Sequence, residues 1–137
     1  MMIVKNFVVN DVEYMICDST KGYVPMASGI ELLANRRLGV GADRVIVFTG
    51  TQQEPSFRLY GADGEEQEPQ QEDYLVFACY LREDGIAANA AEMAKALGEQ
   101  AFIAAAELHP VSFEAHVTGA FCERLRALDK KEQVLAG

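Results

Sequence analysis

A chain of 137 residues has the size of a single domain, 1–137, and is long enough to bury a core of its own. Its 12 basic and 21 acidic residues leave a formal charge of −9, which argues against nucleic acid or an anionic membrane as a partner, because both call for a positive field. No stretch is long and apolar enough to span a bilayer, and the opening MMIVKNFVVND lacks the pattern of a signal peptide, so a cytoplasmic protein is expected.

Residues 2–9 and 12–18, MIVKNFVV and VEYMICD, read as two strands of a β-hairpin turned at Asn10-Asp11. Residues 19–27 form a loop. Ser28 is placed to cap a helix over residues 30–37, with Glu31 completing a capping box and Ile30, Leu33 and Ala34 facing the core. Arg36 and Arg37 fall in the last turn of that helix. They suit either the helix dipole or a bidentate carboxylate contact. Gly39 ends the helix, and Gly39 and Gly41 flank Val40 where positive φ or close backbone approach is needed. Asp43 is expected to steady this turn by bonding nearby amides.

Two further strands follow, Val45-Ile46-Val47-Phe48 and residues 56–60, neighbours joined by a polar loop. Ala62-Asp63-Gly64 is a turn. An acidic segment, Glu65, Glu66, Glu68, Glu72 and Asp73, then surrounds the start of a helix over residues 70–83, with Pro69 suited to its first turn. The carboxylates match no calcium-loop spacing, so a solvated acidic surface is the plain reading and no metal is expected. Asp84-Gly85 ends this helix. Residues 87–99 are alanine-rich and helical in pattern, while residues 101–108 suit helix or buried strand equally. Val111, Phe113, Ala115 and Val117 alternate with Ser112, Glu114, His116 and Thr118, a strand with one wet face. A last helix over residues 121–135 carries an apolar stripe that either closes the core or meets another chain. His109 and His116 stand apart from any Cys or Asp cluster and make a poor zinc site. Cys17, Cys79 and Cys122 are widely spaced and read as reduced, buried thiols, with Cys79 inert in mid-helix.

The series Arg36-Arg37, Gly39-Val40-Gly41-Ala42-Asp43, Phe57-Arg58-Leu59-Tyr60, Ala62-Asp63-Gly64, and Phe77-Ala78 with Tyr80-Leu81 resembles the N-terminal half of the diaminopimelate epimerase family. The resemblance is densest over residues 35–81, and Asn10-Asp11 extends it towards the start, so that it covers residues 1–85. It implies an α+β fold, a mixed or antiparallel curved sheet wrapped around the central helix 70–83, as in one half of a two-domain epimerase. Each half of such an enzyme gives one cysteine to the substrate.

The match fails at the chemistry. The family's Cys-Gly-Asn-Gly falls on Gln70-Gln71-Glu72-Asp73, so the catalytic cysteine position is Gln70, whose amide neither gives nor takes a proton near neutral pH. The substrate-contacting asparagine before Ala-Asp-Gly is replaced by Gly61, and the glycine-rich lead-in to Asn10 is replaced by Phe7-Val8-Val9. Carboxylates at the helix start would also repel a substrate carboxylate that the family binds there.

The expectation is therefore a degenerate, non-catalytic homologue that binds a small molecule or serves assembly. Asn10, Gly61, Gln70 and Gln71 are the candidate ligand contacts, no residue is assigned to catalysis, and no cofactor is implied. The alternatives are an isomerase using Glu68, Glu72 or Asp73 as base, if burial raises the pKa, and a plain interaction protein. A lone half exposes the face its partner domain would cover, and a homodimer is the expected remedy.

Overall fold

The computed structural model describes residues 2–85, 98 and 110–136. Strands β1 (Met2–Val9) and β2 (Val12–Asp18) form the expected hairpin, with Val9 paired to Val12 across a two-residue turn. Asn10 and Asp11 both adopt positive φ, 50° and 63°. Two positive φ values in a row define the turn whose twist suits a hairpin, and Asn and Asp tolerate them best after glycine.

Helix α1 (Ala27–Ala34) begins and ends earlier than the sequence pattern suggests. Its N-cap is Met26, and Ser28 lies inside the first turn. The capping groups come from the other end of the chain. Asp129 Oδ1 accepts the Met26 amide at 2.9 Å, and Glu132 Oε1 accepts the Ser28 amide and hydroxyl at 2.7 and 2.6 Å. The chain then turns back under α1. A Cβ on Gly39 would stand 2.3 Å from the Leu32 carbonyl, while Gly41 has φ of 94°, so the two glycines answer close approach and positive φ respectively.

Strand β3 (Arg44–Phe48) runs parallel to β2, and β4 (Phe57–Gly61) returns antiparallel beside β3. The two-residue strand β5 (Glu66–Gln67), unforeseen in the acidic segment, pairs with Leu59 and Tyr60. Helix α2 (Gln71–Glu83) follows, with Gln70 as N-cap and Pro69 outside the helix. Strand β6 (Val111–Val117) pairs antiparallel with β1, and helix α3 (Gly119–Ala136) completes the described chain. Apart from Gly98, the helical and ambiguous readings for residues 87–99 and 101–108, with His109, lie outside the described residues.

The outcome is an α+β fold built on an open, mixed sheet in the order β5-β4-β3-β2-β1-β6. Side chains alternate between its faces, and each face has its own core. Phe7, Tyr14, Ile16, Ile46, Phe48 and Leu59 meet α2 through Val76, Phe77 and Leu81. The Phe77 ring packs against Phe48 and Phe57 at 5.5 and 4.6 Å between centroids. On the opposite face Met2, Val4, Met15, Cys17, Val45 and Val47 meet Ile30 and Leu33 of α1 and Cys122 and Leu125 of α3. The stripe of α3 thus closes the core. All three cysteines are buried thiols, and burial pushes the Cys17 thiol up to about 12 and raises that of Cys79 as well. No helix among the described residues is long and apolar enough to cross a membrane.

Candidate functional site

The candidate residues of the sequence reading converge at the N-terminus of α2. Asp73, the third residue of the helix, is only 1% exposed, and its carboxylate is fully engaged. Oδ2 accepts the Gln70 amide at 2.7 Å and Arg44 Nη2 at 3.2 Å. Oδ1 accepts the Tyr14 hydroxyl at 2.8 Å. Arg44 Nε stands 3.1 Å from the same oxygen, near enough for charge attraction though off the line of a hydrogen bond. An aspartate reaching back to the N-cap amide satisfies one of the orphan donors of a helix start and meets its dipole favourably.

Glu72 belongs to the same network. Its Oε2 accepts Asn10 Nδ2 at 3.1 Å and its Oε1 lies 3.2 Å from the Tyr14 hydroxyl. Tyr14 has one proton to share between two carboxylates. Burial first, then its bond to Asp73 and the charges of Asp73 and Glu72, raise its pKa far above the ordinary tyrosine value. The phenol is thus held neutral as a donor.

Gly61 ends β4 opposite Arg44, and a Cβ there would stand 2.6 Å from Gln67 Nε2 and 2.9 Å from Asp63 Oδ1. The space that an asparagine side chain would need is therefore taken by Gln67, whose Oε1 also lies 3.4 Å from Arg44. Gln70 and Gln71 are exposed, and the Gln70 side-chain amide donates to the Glu68 carbonyl at 3.4 Å. Asn10, Gly61, Gln70, Glu72 and Asp73 are thus gathered at one helix end, while Gln71 lies beside them on the surface. Glu66 leans towards Arg58 at 3.6 Å, away from the cluster.

Comparison with models of known families and with curated proteins matched nothing to this chain.

The arginines of residues 36–37 divide. Arg36 is held within the chain, by Glu13 at 2.7 Å and Asp43 at 2.8 Å. The amide of Glu13 and the guanidinium of Arg36 together hold the Asp43 carboxyl below its ordinary value. Asp43 does steady the glycine turn, by tying it to β2. Arg37 is exposed beyond the end of α1.

A cavity of about 140 Å³ lies at the other end of α2, lined by Lys5, Asp18, Lys21, Tyr23, Tyr80 and Glu114 among others. Lys5 pairs with Glu83 at 2.5 Å, Lys21 pairs with Asp84, and the Tyr80 hydroxyl donates to Asp18. Among the described residues no three His, Cys, Asp or Glu side chains gather in a way that would hold a metal ion.

Sequence reasoning missed Tyr14, Arg44 and Gln67. Tyr14 read only as one residue of a hairpin strand, and Arg44 and Gln67 had no reading of their own. The contacts of Tyr14 and Arg44 with the helix start span 59 and 29 residues of chain, and no local pattern announces them.

Proposed function

We propose that this chain is a non-catalytic homologue of one half of an amino-acid epimerase, acting as a small-molecule-binding or assembly module. The observation that carries this reading is the commitment of the groups at the α2 start. The residue aligned with the family's cysteine, Gln70, serves as helix N-cap, and its amide is bound by Asp73. A general base must reach the proton it removes. Asp73 is buried and ion-paired, and both oxygens of Glu72 are held by Asn10 and Tyr14. A substrate carboxylate would also compete with Asp73 for the same helix end. In this reading the protein works in the cytoplasm, where its thiols remain reduced, and a homodimer covers what the absent second half would cover.

The test is α-proton exchange in D2O with a panel of amino acids that includes meso- and LL-diaminopimelate, followed by NMR. The expected result is no exchange above the protein-free rate. Exchange that disappears in Glu72→Gln would establish a carboxylate-based isomerase and overturn the proposal. Thermal stabilisation by members of the same panel then separates ligand binding from a role in assembly alone.

A further inference from the structure

We infer that the chain forms a twofold dimer by antiparallel pairing of β6 with β6 of a second copy, joining the two sheets edge to edge. Strand β6 is the last in the sheet order, and among the described residues only β1 pairs with it. Its register with β1 runs without a bulge from Val111 to Val117, so its outer edge is a regular row of backbone donors and acceptors. Two of the usual protections of an edge strand, proline and lysine, are missing from it.

The side chains point the same way. On the α1 and α3 face, Val111 is 71% and Phe113 45% exposed, and Val8, opposite Val111 on β1, is 37% exposed. On the other face Glu114 and His116 are exposed two residues apart. A twofold pairing centred on Ala115 sets Glu114 of each copy opposite His116 of the other, and Phe113 opposite Val117, each contact occurring twice. A pairing centred on Glu114 would set two carboxylates against each other. Directly opposed like charges disfavour a ladder, so of these two registers the first is selected. Each copy carries −9, but salt screens charges beyond about 8 Å at physiological ionic strength, and the contacts at the seam decide.

This inference gives the assembly role proposed above a surface, and its failure would leave the exchange result untouched. Sedimentation velocity over a concentration series measures it with the full chain. The wild-type protein is expected to be a dimer. His116→Glu, which opposes two carboxylates twice, is expected to weaken association by about tenfold or more. Exchanging the two side chains in the double variant Glu114→His/His116→Glu is expected to restore it. Both positions are exposed, so circular dichroism should be unchanged throughout. A monomeric wild-type protein, a dimer indifferent to His116→Glu, or a double variant no tighter than the single one would each overturn the inference.

Discussion

At the scale of single residues, the decisive fact is that Asp73 is a structural carboxylate. It accepts from Tyr14 and from the Gln70 amide, and it neutralises Arg44. Removing one partner of such a group leaves the others unsatisfied, which costs more than the bond itself contributes. Asp73→Ala is therefore expected to lower stability by about 2–4 kcal/mol, towards the lower end because Arg44 keeps some access to water. Tyr14→Phe leaves Asp73 its other donors and should cost about 1 kcal/mol. Urea unfolding followed by circular dichroism measures both. Equal, negligible losses would show that the network does not hold the helix start.

At the scale of elements, α3 finishes α1. Glu132 takes the place that Ser28 was expected to fill, and its bonds to the Ser28 hydroxyl and amide lower its pKa from the ordinary 4.5. A carboxyl whose folded pKa is depressed adds stability above its unfolded pKa and loses it as pH falls through the folded value. Glu132→Gln should thus cost about 0.5–1 kcal/mol at pH 7, and the difference from wild type should shrink as pH drops below 4.5. A difference independent of pH would mean that the charge is not what caps the helix. This cap was illegible in the sequence because it joins residues 104 apart. What was legible was local. The hairpin followed from two strand-like runs and the Asn10-Asp11 turn between them, and the glycine pair from the demands of a tight return. The span of α2 followed from helical spacing, though Pro69 proved to stand before the cap. Alternation in β6 correctly told which residues share a face, yet it could not tell whether a layer covers that face. Val111 and Phe113 remain exposed, and only Val117 of that row is buried. The candidate site divides in the same manner: its helix start was visible, and its long-range partners Tyr14 and Arg44 were not.

At the scale of the whole molecule, one sheet serves two cores. Neighbouring residues of each central strand enter opposite layers, as Ile46 and Val47 do in β3. Neither layer can lose its packing while the strands that feed it stay ordered for the other. The described fold should therefore open as one cooperative unit. Ile16 is buried against α2, so Ile16→Val removes a methylene from that layer alone and should cost about 0.5–1.5 kcal/mol. Native-state amide exchange can then report on both faces at once. If the sheet couples them, the slowest amides of α1, on the far face, should lose as much protection as those of α2, because both exchange through the same global opening. A loss confined to α2 would mean that the two layers open independently, with the sheet acting as a partition between them.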